Sequence, residues 1–314
     1  MTSIIDTACV LSLVVPAVQQ EHLPALIASL DGFSDPRVEI IVINQSGSPL
    51  KPEIIQGARC PVIEHRTAKI IPAAMARNLG AAQAKGEYLF FLDDDAVFST
   101  GSSSILSLLS VLATRPAAVV VQRGETKDGA FHSHWPKGES SVTFRNFPRL
   151  VIEWNLIIQK QVFTDLGAFP EIGTGSDHSA LSGEAFVLVA RLLSLGKNIC
   201  LLPDVWVAHP SLLEKPKSLK QALGYAYGAG YAVGLGFNTS PWPQQAYWLL
   251  RGIGAGLRDR YSPMAGVSRV LEAVSEARYK RAISRCRLIG LRDGFLRQAP
   301  RSQEWLLKQQ NLVL

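Results

Sequence analysis

The chain has 314 residues, 47% of them hydrophobic and 18% charged, with a formal net charge of +6 and a mean hydropathy of +0.13. This length can bury a core of roughly three quarters of the extended surface. No unbroken apolar stretch reaches the length of about 18 residues that a membrane-spanning helix needs. The four cysteines, Cys9, Cys60, Cys200 and Cys286, lie far apart with no C-x-x-C pair, which excludes a disulfide framework and a cysteine zinc site and fits a reducing, cytoplasmic compartment.

Met1 to Pro16 is apolar without a basic leader, so it reads as the approach to a first strand and not as a signal peptide. Leu11 to Pro16 is that strand, ended by proline. Glu21 to Leu30 has helical spacing, with Leu23, Leu26, Ile27 and Leu30 on one face. Val38 to Ile43 is a second buried strand with a polar turn at 44–49, and Pro61 to His65 is a weaker third. Ile71 to Lys85 is Ala-rich and helical, and Gly86 ends it. Tyr88 to Leu92 is a fourth strand running into Asp93-Asp94-Asp95. Ser102 to Thr114 is helical, and Ala117 to Val121 is a fifth strand.

Alternating helices and continuous apolar strands predict an α/β fold with a mostly parallel sheet covered by helices. In such sheets ligands bind beyond the carboxyl ends of the strands, so the turns after Val15, Ile43 and Leu92 converge on one crevice. The segment Gly124 to Pro148, with His132, His134 and Trp135, reads as an edge hairpin or flap. Trp154 to Leu166 is regular again, with Trp154 and Asn155 as core or cleft residues. Glu184 to Leu195 is a helix, and Asn198 to Leu202 is a short strand before Pro203.

Three adjacent carboxylates closing an apolar strand repel one another, and burial raises that cost. A divalent cation with hard oxygen ligands compensates it. The alternative is an exposed acidic turn with Asp95 as a cap. The surrounding residues decide between them. Ala76-Arg77-Asn78-Leu79-Gly80 leads through Ala84-Lys85-Gly86-Glu87 into the strand that ends at Asp93-Asp94-Asp95. This closely resembles the family 2 glycosyltransferases, whose Arg-Asn-x-Gly helix leads through Ala-x-Gly-Glu to an Asp-x-Asp motif. The resemblance extends over roughly residues 10–210 and includes Leu166-Gly167-Ala168-Phe169-Pro170-Glu171, Gly183-Glu184 before Arg191, and His209.

The resemblance implies a GT-A fold, a nucleotide-diphosphate-sugar donor and a Mn²⁺ or Mg²⁺ ion. Asp93 then faces the donor ribose or the metal, Asp95 binds the metal, and Asp94 serves either role. His209 completes the metal shell or is structural. Glu184 is the candidate general base of an inverting transfer, with Asp177 in reserve, because Ala185 stands where the family usually has a second acid. Pro16 and Asn44 stand at the donor turns, where Asn44 replaces an acid that commonly contacts the nucleobase. Arg77 holds the nucleotide or pairs with an acid such as Asp93. The acceptor is a saccharide or a lipid-linked saccharide, as in cell-surface polysaccharide synthesis. A second reading is a catalytically inactive GT-A protein that binds nucleotide or sugar. No G-x-G-x-x-G follows the first strand, which argues against a dinucleotide-binding oxidoreductase. Nor is there a Gly-rich phosphate loop, as a sugar nucleotidyltransferase would need.

Residues 1–214 carry 16 Lys+Arg against 21 Asp+Glu, a balance of −5, whereas residues 215–314 carry 16 against 5, a balance of +11. The expected division is therefore a catalytic domain over 1–214 and a basic, apolar helical region over 215–314. Tyr, Phe, Leu and Gly alternate there from Gln221 to Phe237, and Trp242, Tyr247, Trp248, Leu249 and Leu250 follow as interfacial aromatics and leucines, then Arg251, Arg258 and Arg260. That composition suits an anionic membrane surface, bound peripherally from the cytoplasmic side. No motif for nucleic acid is present. Gly228, Gly230, Gly234 and Gly236 read as a local echo only.

Overall fold

The computed structural model describes residues 9–30, 35–98, 105–127, 130–133, 135, 141–210, 218–240, 244–261 and 276–312. Two compact units emerge. One comprises Met1–Ile71, Met75–Ala168 and Lys197–Pro210, and the other Pro72–Ala74, Phe169–Gly196 and Ser211–Leu314.

The first unit is built on a sheet of nine strands among the described residues. Its parallel part is β3 (Val62–Arg66), β2 (Val38–Asn44), β1 (Leu11–Ala17) and β4 (Tyr88–Phe91), in that order. Every residue of β2 and β4 is buried, as continuous apolar strands covered on both faces require. The order continues through β8 (Leu156–Gln159), antiparallel to β4, then β6 (Ala118–Lys127) and β9 (Ile199–Pro210), to β5 (Val97–Phe98). The hairpin expected after residue 122 is β6 with β7 (Ala130–Ser133). His132 is exposed there, and His134 lies outside the described residues.

Two local features tie the recognised motif to the sheet. Of the helices α1 (Leu23–Ser29), α2 (Pro52–Gly57), α3 (Ala73–Gln83), α4 (Ile105–Leu112), α5 (Phe147–Leu150) and α6 (Lys160–Asp165), α3 lies so close to β1 that a Cβ on Gly80 would stand 2.3 Å from Val14 Cγ1. Gly86 donates its backbone N–H to Ser12 Oγ at 2.9 Å, and that hydroxyl donates to Glu39 Oε1 at 2.6 Å. Lys85 N donates to the same Glu39 oxygen at 2.7 Å. A carboxylate buried between two central strands is tolerable only with such partners.

Some boundaries differ from the expected ones. The Ala-rich helix starts at Ala73 and not at Ile71, after Pro72. The strand expected to stop before Pro203 instead runs for 12 residues. The ladder with β6 jumps from Val121↔Leu202 to Gln122↔Trp206. Residues 203–205 bulge out, so the missing N–H of Pro203 breaks no ladder bond.

The second unit is helical: α7 (Glu184–Ser194), α8 (Leu219–Thr239), α9 (Gln244–Tyr261), α10 (Glu276–Phe295) and α11 (Gln303–Asn311). The glycine echo is the contact surface of α8. Added Cβ atoms on Gly230 and Gly234 would stand 2.0 and 2.4 Å from the backbone oxygens of Arg287 and Leu291 on α10. Gly290 and Gly294 answer from α10, at 2.1 and 2.2 Å from the oxygens of Tyr227 and Tyr231. Two helices touch backbone to backbone only where both lack side chains. Beside this seam Asp293, almost wholly buried, accepts from Arg301 Nε at 2.6 Å, Arg292 Nη2 at 2.8 Å and Tyr227 Oη at 3.1 Å. Among the described residues no helix is long and apolar enough to cross a membrane.

Candidate active site

The carboxyl ends of β2, β1 and β4 lie side by side, as expected for the crevice. Gln45 N donates to Ala17 O at 2.8 Å, and Leu92 N to Val14 O at 3.0 Å. Pro16 stands two residues beyond Val14, the last residue of β1 in register with β4. Its absent N–H therefore costs no bond on that side.

The polar turn after β2 is wired from both flanks. Asn44 is buried, donating to Ser48 O at 2.7 Å and to Glu64 Oε1 at 2.6 Å. Its Oδ1 accepts from Ser46 N at 3.0 Å and Ser46 Oγ at 2.7 Å. The amide thus uses both its donors and its acceptor to hold the turn. Gln20, also buried, donates to Ser46 Oγ at 2.9 Å and Pro49 O at 3.0 Å and accepts from Lys51 N at 3.0 Å. Gln45 Oε1 accepts from Ile71 N at 2.8 Å. Gln20, Gln45 and Glu64 carry no sequence signal of this role, because each acts on residues far away in the chain.

Asp93, Asp94 and Asp95 form the turn between β4 and β5. Although β5 has only two residues, it pairs antiparallel with β9, Val97 opposite Ala208. That register draws the acidic turn to His209. His209 Nε2 stands 2.9 Å from Asp95 Oδ1 and 3.7 Å from Asp93 Oδ2. Asp93, Asp95 and His209 each offer a ligand atom, all within 4.8 Å of one another. Asp94 is half-buried on the same turn and lies outside this trio.

The surroundings orient this cluster. The Trp154 ring stacks on the His209 ring, 5.7 Å between centroids and 17° between planes. His209 Nδ1 lies 3.1 Å from Pro210 O. Both neighbours only accept, so the ring donates from Nδ1 to Pro210 O and, when protonated, from Nε2 to Asp95; Nε2 is the atom turned to the carboxylates. Burial works to lower the His209 pKa, but the hydrogen bond and charge of Asp95, then the charge of Asp93, hold it above the ordinary value. Arg77, almost wholly buried, donates from Nη2 to Asp93 Oδ1 at 2.6 Å, and Glu153 Oε1 stands 4.0 Å from the same nitrogen. Burial pushes the Glu153 carboxyl up, opposed by Arg77. Asn155 pins this loop to the core, donating to Val121 O and Leu150 O, both at 2.9 Å, and accepting from Ile152 N at 2.9 Å.

The donor set suits a hard divalent cation. Adjacent ligands of an octahedral Mg²⁺ or Mn²⁺, at about 2.1 Å from the ion, lie about 3 Å apart. The His209–Asp95 separation of 2.9 Å is that of a direct hydrogen bond and also fits this spacing.

Glu184 opens α7 in the helical unit and is buried. Gly183 precedes it at φ 108°, a conformation that favours glycine. A Cβ on Gly173 would stand 2.6 Å from Glu184 Oε1, so the loop presses its backbone against this carboxylate. The turn before Glu184 is clamped from α8. Ser182 Oγ donates to Tyr225 O at 3.1 Å, and a Cβ on Gly228 would meet Ser182 O at 2.5 Å. Asp177 is exposed on the loop between Gly173 and Ala180.

The mostly parallel sheet flanked by helices is a GT-A fold, as its likeness to solved glycosyltransferase structures shows. The model of Glycosyl transferase family 2 matches residues 12–169, half of the chain, and the chain belongs to that family. A Haemophilus influenzae (strain Rd) protein described as an uncharacterized glycosyltransferase is 35% identical over 89 residues, 28% of this chain and 30% of that protein's length. Residues 1–349 of S. aureus TarS in complex with UDP superpose with a TM-score of 0.58 at 14% identity, over 91% of this chain and 89% of that one. The same protein with UDP-GlcNAc gives 0.56 at 13%, over 91% and 90%. At these identities the likeness to TarS is one of fold.

Proposed function

We propose that the protein transfers a glycosyl group, with inversion, from a nucleotide-diphosphate sugar to a hydroxyl of a saccharide or lipid-linked acceptor in cell-surface polysaccharide synthesis. The observation that carries this reading is the Asp93–Asp95–His209 cluster at the carboxyl end of β4. The UDP and UDP-GlcNAc complexes of TarS agree with a nucleotide-sugar donor. Asp95, Asp93 and His209 would hold Mn²⁺ or Mg²⁺, which supplies positive charge against the departing diphosphate. Arg77 holds Asp93 in place through a charge-assisted hydrogen bond. Asp94 would serve either the donor ribose or the metal. Pro16 and Asn44 shape the turns against which the nucleotide lies, Asn44 by holding residues 44–48.

Glu184 acts as general base. The acceptor oxygen attacks the anomeric carbon, the bond from that carbon to the diphosphate breaks, and the hydroxyl proton passes to the Glu184 carboxylate. Asp177 is the second candidate. Ala185 at the family's second acidic position favours one other reading, a protein that binds donor without turning it over. The two separate in an assay for released nucleoside diphosphate, run with a panel of nucleotide sugars, saccharide acceptors and Mn²⁺. The proposal expects release that falls about 10²-fold or more in Glu184→Gln. Donor binding without release from the unaltered protein would favour the second reading.

A further inference from the structure

We propose that the outward face of α9, together with the arginine groove of α10 beside it, docks on an anionic phospholipid surface. The inward face of α9 is Trp248, Gly252 and Gly256. Trp248 is wholly buried and donates from Nε1 to Ser240 Oγ at 2.8 Å. Cβ atoms on Gly252 and Gly256 would stand 2.8 and 2.7 Å from the side chains of Leu291 and Leu288 on α10. The opposite face carries Leu249, Leu250, Ile253 and Leu257, exposed by 40%, 71%, 40% and 48%. Single exposed leucines are ordinary. Four at i, i+1, i+4 and i+8 make a continuous strip, and Arg251 is the only charged residue from Gln244 to Leu257.

An open groove of about 450 Å³ runs along α10, the helix that packs against α9, lined by Arg281, Ser284, Arg285, Leu288, Ile289 and Arg292. Leu288 links the groove to α9, since it is also the residue against which Gly256 on the inward face of α9 packs. Arg281, Arg285 and Arg292 are exposed. An apolar strip bordered by guanidinium groups matches a surface that offers acyl chains beneath phosphates. A second copy of this chain fits poorly, because neither the strip nor the groove lining offers a carboxylate to meet the arginines in an isologous contact. The +11 balance of residues 215–314 points the same way. Trp248, one of the aromatics expected at the interface, is instead a core residue, so the leucines and Ile253 make the apolar contact.

The test is co-sedimentation of the full chain with phosphatidylcholine vesicles, with and without phosphatidylglycerol, at low and high salt. The protein should pellet with the phosphatidylglycerol vesicles and leave them as salt rises. Leu250→Gln with Ile253→Gln should weaken partitioning about tenfold, and Arg281→Gln and Arg285→Gln about fivefold each. All four positions are exposed or lie at the surface, so unchanged melting temperatures show that the variants remain folded. Wild-type protein left in the supernatant with phosphatidylglycerol vesicles would overturn the proposal, as would variants that bind like wild type. A dimer in sedimentation velocity that Leu250→Gln abolishes would reassign the strip to a second copy. The result is independent of donor chemistry, because no nucleotide takes part.

Discussion

Replacing Gly290 with alanine should destabilise the helical unit even though alanine is the better helix former. A Cβ there would stand 2.1 Å from the Tyr227 carbonyl oxygen and 3.0 Å from its carbon. Carbon and carbonyl oxygen settle at about 3.3 Å or more, so α8 and α10 must part by about 1 Å. Both helices are rigid, and the seam repeats at Gly230, Gly234 and Gly294, so the separation spreads along their length. Overpacking of this kind costs about 1–3 kcal/mol, and leaving glycine in a helix returns about 1 kcal/mol. The net loss expected in urea unfolding, followed by tryptophan fluorescence, is up to about 2 kcal/mol. Gly254 on α9 is the control: nothing lies within 4 Å of its would-be Cβ, so Gly254→Ala should stabilise by up to about 1 kcal/mol. If both substitutions shift the midpoint in the same stabilising direction, the backbone-to-backbone seam is wrong.

Asp293→Asn should cost about 2 kcal/mol at neutral pH, less than a fully enclosed pair because Arg292 and Arg301 reach solvent. Burial alone would raise the Asp293 carboxyl, but the hydrogen bonds from Arg301 and Arg292 outweigh it and hold it below the ordinary value. A depressed carboxyl contributes its full stability above the unfolded pKa near about 3.9 and loses it as pH falls further, so the wild-type advantage over Asp293→Asn should shrink below about pH 4 in denaturation series. Gly228→Val should press on Ser182 O, shift the turn that carries Glu184 and lower transfer more than about tenfold with little change in donor-induced melting shifts. Asn155→Leu should leave the carbonyls of Val121 and Leu150 without their amide donor, loosen the Trp154 platform and cost about 2 kcal/mol in urea unfolding.

The parallel half of the sheet was legible because β1, β2 and β4 are unbroken apolar runs. The acidic turn was legible because three adjacent carboxylates after such a run need an explanation. Other parts depend on partners distant in sequence. A two-residue strand such as β5 has no periodicity to read, yet its pairing with Ala208 brings Asp95 to His209. The continuation of β9 past Pro203 depends on a bulge against β6 that no local signal announces. Asn44 reads as a turn or base-contacting residue, and its four hydrogen bonds appear only once Ser46, Ser48 and Glu64 are gathered around it. The α8 glycines were visible as a repeat, but their meaning lies in Gly290 and Gly294 on a helix some 60 residues away.

The most direct test of the account is a thermal-melt titration with a panel of nucleoside diphosphates, with and without Mn²⁺, on the wild type and Asp95→Ala. A ligand at a hundred times its dissociation constant adds roughly 2.7 kcal/mol, a readily visible shift. The account predicts that one nucleotide stabilises the wild type only when Mn²⁺ is present, and that Asp95→Ala, folded as before, loses that response. A nucleotide shift that ignores metal and survives Asp95→Ala, or no shift with any nucleotide, would contradict it.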